Sequence, residues 1–92
     1  MNNIVYVIMV ENQYNHSYVE RVYTSLETAK QFLIKNYNYW IREEDKDPND
    51  IKEINEISTP QLLESDFYVD LERRGISLVL FATPTDERLD IV

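Results

Sequence analysis

The chain has 92 residues and no cysteine, so it has room for one hydrophobic core, and disulfide staples, thiolate zinc sites and cysteine nucleophiles are excluded. Hydrophobic residues at 43%, with seven tyrosines, three phenylalanines and one tryptophan, place it among folding chains rather than disordered ones. A formal net charge of −8 argues against nucleic acid or an anionic membrane as a direct partner.

The run Ile4 to Val10 is apolar at odd and even positions alike and rich in β-branched residues. A strand covered on both faces, or flanked on both edges, needs that composition. No basic residue precedes the run and no small-residue cleavage pattern follows it, so it reads as neither signal peptide nor membrane span, and a cytoplasmic location is expected. Glu11 to Ser17 is polar and turn-forming, and Tyr18 to Tyr23 returns as the second strand of a hairpin. Thr24-Ser25-Leu26-Glu27 has the form of a capping box. The helix it opens carries Leu26, Ala29, Phe32, Leu33, Tyr37, Trp40 and Ile41 on one stripe, with Lys30, Lys35 and Asn38 toward water. Its end is expected near Glu44, where Asp45 to Asp50 breaks the pattern and Pro48 disfavours continuation.

Asp50 is the expected cap of a short second helix bearing Ile51, Ile54 and Ile57. Thr59-Pro60 has the form of an N-cap followed by proline at the first helical position. Asp66 to Glu72 alternates, with Phe67, Val69 and Leu71 on one face and Tyr68, Asp70 and Glu72 on the other. Arg73-Arg74-Gly75 supplies a turn with the only glycine in the chain, Ile76 to Ala82 is the fourth strand, and Thr83 to Val92 reads as a loose tail. The two most apolar strands belong in the middle of the sheet, which gives the order 2-1-4-3. The expected fold is therefore a single α+β domain over residues 1–92. It has a four-stranded, mainly antiparallel sheet, one main helix on one face and one or two short helical turns. The sheet face away from the helix is expected to be only partly covered.

The negative charge is concentrated. Residues 1–42 are net +1 and residues 73–92 net 0, while residues 43–72 hold eleven acids against Lys46 and Lys52. Val5-Tyr6-Val7 together with the stretch Val19 to Ala29 resembles the beginning of small uncharacterised bacterial and phage proteins that pair a hairpin with a capped helix. The resemblance covers about a third of the chain and implies the fold without an activity. Nine isoleucines, eight asparagines and seven tyrosines against two alanines fit the codon bias of an AT-rich genome, that of a low-GC bacterium or its phage.

Little in the chain points to catalysis. The only histidine, His16, stands beside Ser17 in the hairpin loop, where adjacent residues rarely attain nucleophile–base geometry. One glycine cannot build a phosphate-cradling loop, and no carboxylate lies in an apolar run that would raise its pKa for acid catalysis. Asp45, Asp47, Asn49 and Glu56 fall at positions 1, 3, 5 and 12 of an EF-hand-like loop, but Asp50 stands where the turn asks for glycine, Pro48 at position 4 and Lys52 at position 8. A solvated acidic loop is the preferred reading, so no metal and no cofactor is expected. Tyr37, Tyr39 and Trp40 cannot all face one side of a helix, which leaves one of them exposed beside the acidic segment, the composition of an interface anchor with an anionic rim.

The expectation is a non-enzymatic acidic binding protein. Tyr39, Glu43, Glu44, Asp45, Asp47, Asp50, Glu53 and Glu56 would occupy a basic, nucleic-acid-binding surface of a partner protein. A phage or bacterial inhibitor of a nuclease or defence system would look like this. The alternatives are a nuclease-toxin immunity protein and a self-assembling or calcium-binding accessory domain, including a homodimer through the strand Tyr18 to Tyr23.

Overall fold

In the computed structural model, residues 3–12, 16–71 and 75–85 are described. Their order is β1 (Ile4–Asn12), β2 (Ser17–Tyr23), α1 (Leu26–Trp40), a 3-10 turn (Glu43–Asp45), α2 (Pro48–Glu56), α3 (Thr59–Glu64), β3 (Phe67–Asp70) and β4 (Ile76–Pro84). The four strands form one antiparallel sheet in the order β2-β1-β4-β3, so the two most apolar strands are central, as their composition requires. The turn Arg73-Arg74, the tip of the first hairpin and most of the expected tail lie outside the described residues. Thr83 and Pro84 are strand rather than tail, and the Thr85 N–H donates to the Asn3 carbonyl at 2.9 Å. Gly75 takes φ 60° at the entry to β4, a left-handed position that glycine adopts without steric cost.

Alternation sorts each strand between two faces. Tyr6, Ile8 and Val10 of β1, Leu78, Leu80 and Ala82 of β4 and Val69 of β3 join Ala29, Leu33 and Tyr37 of α1, Ile54 of α2 and Leu62 of α3 in one core. The three helices therefore share one side of the sheet. Tyr23 and Phe32 stack tilted at 6.0 Å and the Arg21 guanidinium lies 5.8 Å from the Phe32 ring, fixing α1 over β2. The Tyr6 hydroxyl meets Thr59 Oγ1 at 2.7 Å and ties β1 to α3. On the opposite side the register lines up three apolar rows: Val19, Met9, Val79 and Tyr68; then Val22, Val7 and Phe81; then Val5 beside Thr83. A fourth row, Ser17, Glu11, Ser77 and Asp70, closes one end with polar groups.

Several boundaries differ from the sequence expectation. The cap of α1 is Ser25, whose hydroxyl accepts the Thr28 N–H at 3.4 Å, one residue after the threonine favoured by the capping-box pattern. The helix stops at Trp40, not Glu44, and the chain re-forms a tight turn over Glu43–Asp45. Pro48 opens α2 instead of breaking structure. Its missing N–H is harmless at the first helical position, and Asp47, not Asp50, is the cap, accepting the Asn49 N–H at 2.9 Å. Likewise Ser58 rather than Thr59 caps α3, with Gln61 Oε1 accepting the Ser58 N–H at 3.0 Å. Lys30 does not face water. It is 8% exposed, and its ammonium donates to the Asn55 carbonyl at 2.9 Å, joining α1 to the C-terminal end of α2, where the helix dipole favours a cation.

Candidate functional site

The acids of residues 43–56, on the 3-10 turn and α2, belong to the helical layer and split into two groups with different work. Asp47 and Asp50 hold the layer together. The buried Tyr37 hydroxyl donates to Asp50 Oδ2 at 2.7 Å and accepts the Asp47 N–H at 2.8 Å, so one phenol clamps the first turn of α2 to α1. Burial raises the Tyr37 pKa above its usual 10.0, and the neighbouring Asp50 carboxylate adds to the rise, against the lowering effect of the Asp47 hydrogen bond. Both aspartates also stand where the positive end of the α2 dipole favours an anion.

The other acids of the 3-10 turn and α2 serve the fold far less. Glu43 pairs with Lys46 at 3.1 Å, Glu44 with Arg42 at 3.8 Å and Glu56 with Lys52 at 3.9 Å, all on the surface, where such pairs contribute about 0–1 kcal/mol. Asp45 and Glu53 are exposed and have no side-chain hydrogen bond or ion pair among the described residues. Glu53 and Glu56 occupy the last turn of α2, which holds no basic residue, at the end where the dipole disfavours an anion by roughly 0.3–1 kcal/mol.

A groove of about 240 Å³ runs between α2 and β3, lined by Tyr37, Asp50, Glu53, Tyr68 and Asp70 among others. All four residues of β3 line it, so it follows the edge of that strand which β4 leaves unpaired. Sequence reading placed Asp50 and Glu53 here but missed Tyr37, Tyr68 and Asp70. The alternation of β3 put Tyr68 and Asp70 on one face, but nothing in the pattern shows α2 lying along the strand. Tyr39 is 77% exposed and packs edge-on to Trp40 at 4.8 Å. Two residues beyond Tyr37, it points about 200° around the helix from that buried ring, so the structure does not bring it to the groove.

The calcium spacing does not survive folding. Residues 48–56, which would be most of the loop, are helix. Asp47 is engaged as a cap, and Glu56, nine residues on, lies about 13 Å further along the axis at ~1.5 Å per residue. Among the described residues no group of three or more His, Asp or Glu side chains is placed to hold a metal ion. His16 is exposed, with its N–H on Asn12 Oδ1 at 3.3 Å. Among the described residues, no helix is long and apolar enough to cross a membrane. The chain matches no family model, no curated protein and no solved structure.

Proposed function

We propose that this protein is a non-enzymatic acidic binder that occupies a basic, nucleic-acid-binding surface of a partner protein, as a phage- or bacteria-encoded inhibitor of a nuclease or defence system does. Glu53 carries the reading. It stands at the disfavoured end of α2, on a groove it shares with Asp50 and Asp70, and pairs with nothing among the described residues. A charge kept where it costs stability is better explained by a partner than by the fold. Carboxylates on a rigid helical layer can stand in for phosphates, with the 3-10 turn Glu43–Asp45 extending the anionic surface and Tyr39 as an exposed aromatic anchor. A nuclease-toxin immunity protein would work by the same electrostatics, in the cytoplasm of its host.

The test uses partner proteins captured from bacterial lysate. Binding should weaken steeply as salt rises, duplex DNA should compete for the same partner, and Asp45→Lys with Glu53→Lys should abolish binding while leaving the melting temperature unchanged. Binding that ignores salt, DNA and both reversals would overturn the proposal.

A further inference from the structure

β2 is an edge strand of seven residues, Ser17–Tyr23, without proline or lysine. Among the described residues only β1 pairs with it, and its Tyr18, Val19 and Val22 are 54%, 55% and 50% exposed. The other edge strand, β3, is four residues long and has α2 beside it, so it is blunted both by its length and by a neighbour. A longer, more apolar edge invites a further strand. The residues along β2 read nearly the same in both directions, Tyr18-Val19-Glu20-Arg21-Val22-Tyr23, with tyrosines outermost, valines inside them and opposite charges at the centre. We propose that β2 pairs antiparallel with β2 of a second copy of the chain about a two-fold axis perpendicular to the sheet. Tyr18 then faces Tyr23, Val19 faces Val22 and Glu20 faces Arg21, and two four-stranded sheets join into one.

The bulge in β2 makes this register possible. Such an axis keeps each sheet face on its own side, so residues that meet across it must point to the same face. In a regular strand Tyr18 and Tyr23 would point to opposite faces. The register shift between Ile8 and Met9 leaves Glu20 as an extra residue and resets the alternation. Tyr18 opposes Val10 and Tyr23 opposes Tyr6, both in the core under the helices, whereas Val19 and Val22 oppose Met9 and Val7 on the other side. Glu20 lines a groove with Phe32 and Asn36 of α1, and Arg21 lies over the Phe32 ring, so both charges are on the helical side. Each of the three pairs therefore meets on one face. A bulge ordinarily throws an incoming strand out of step, but a second copy carries the same extra residue at the same place.

The backbone agrees. The Asn12 N–H donates to the His16 carbonyl at 3.1 Å, and bonded pairs alternate with non-bonded ones along an antiparallel ladder, so Tyr18 bonds toward β1 and Val19 turns its N–H and C=O outward. Val22, on the same face as Val19, turns the same way. Val19 and Val22 are thus the residues that exchange N–H···O bonds with the second copy, and a Glu20–Arg21 ion pair lies on each side of the axis. Charge permits the contact. Asp50 and Glu53 stand by β3, three strand spacings or about 14 Å from this edge, beyond the ~8 Å Debye length. The net charge of −8 therefore gathers at the two outer ends of the dimer, where both acidic grooves stay open.

Analytical ultracentrifugation over a concentration series tests this, with the folding of every variant checked by circular dichroism. The wild type should show a monomer–dimer equilibrium. Glu20→Arg and Arg21→Glu each set like charges against one another on both sides of the axis and should each weaken it about tenfold or more. Mixing the two variants puts opposite charges back at both places and should restore the wild-type affinity. If Arg21→Glu fails to fold, Glu20→Arg alone should still weaken the dimer, and Glu20→Arg/Arg21→Glu, self-complementary again, should regain it. Hydrogen exchange read residue by residue should slow at the Val19 and Val22 amides as protein concentration rises. A wild type that stays monomeric at millimolar concentration overturns the proposal. So does a dimer that the single variants leave unchanged, and so does one in which the Val19 and Val22 amides exchange as fast as in the monomer.

Discussion

The two sides of this sheet are built from the same alternating strands yet differ in almost every other respect. The helical side buries Ile8, Leu33, Ile54 and Leu80 almost completely, uses Tyr37 and Lys30 to join helix to helix, and carries the 3-10 turn and α2 with their acids. The other side holds three neutral rows and no described helix. Charge has been placed with the helices on one side, while the other side buries Val5, Val7 and Val79 at its centre and leaves Val19, Val22 and Tyr68 of the two edge strands exposed.

The difference predicts where truncation hurts. Leu33→Ala, in the helical core, should cost about 2–5 kcal/mol in urea unfolding, because the cavity adds to the lost transfer energy. Val22→Ala, at an exposed position of the edge strand β2 on the other side, should cost less than ~1 kcal/mol. Equal costs would erase the distinction between the sides. Next in size is the Tyr37 clamp. Tyr37→Phe removes two hydrogen bonds to the start of α2 and should cost about 1–3 kcal/mol.

The same residue sets the alkaline limit. The folded Tyr37 pKa lies above the ordinary 10.0, so its stabilising effect is complete below pH 10 and is lost as pH rises through the folded value. Unfolding followed from pH 8 upward should show the wild type losing stability above pH 10, and Tyr37→Phe losing less. Lys30→Met keeps most of the apolar stem but deletes the bond to the Asn55 carbonyl, for an expected loss of roughly 1–2 kcal/mol in the same assay. Smallest of all, Lys52→Ala breaks only an exposed pair with Glu56 and should change stability by less than ~0.5 kcal/mol.

Much of the sheet was legible because its signals are local and redundant. β-Branched runs named β1 and β4, alternation named β3, and greater apolarity put β1 and β4 in the middle. The caps were misread by one to three residues: Ser25 and not Thr24 caps α1, Asp47 and not Asp50 caps α2, Ser58 and not Thr59 caps α3. Only the backbone dihedrals choose between such candidates. Pro48 illustrates a residue with two meanings, since proline ends one helix and begins the next with equal ease. Lys30 was assigned to water by residue type, but a four-carbon stem can lie along a core while its ammonium reaches a carbonyl. The groove was only half legible, because Asp50 and Glu53 are brought to Asp70 by the packing of α2 along β3, and no period in the chain encodes that packing.

β1 sits between β2 and β4, and its two ladders differ in how far apart along the chain their strands lie. The β2 ladder closes across a short hairpin, with Glu11 opposite Ser17, whereas the β4 ladder joins Asn12 to Ile76 and Ile4 to Pro84. During synthesis the hairpin can form at once, but one edge of its most apolar strand must wait until nearly the whole sheet has been made. Closing so long a loop is entropically slow. The interval in which β1 is open is therefore when this chain is most exposed to aggregation, and its crowd of carboxylates, translated before β4, gives the unfinished chain a negative charge that keeps copies apart during that wait.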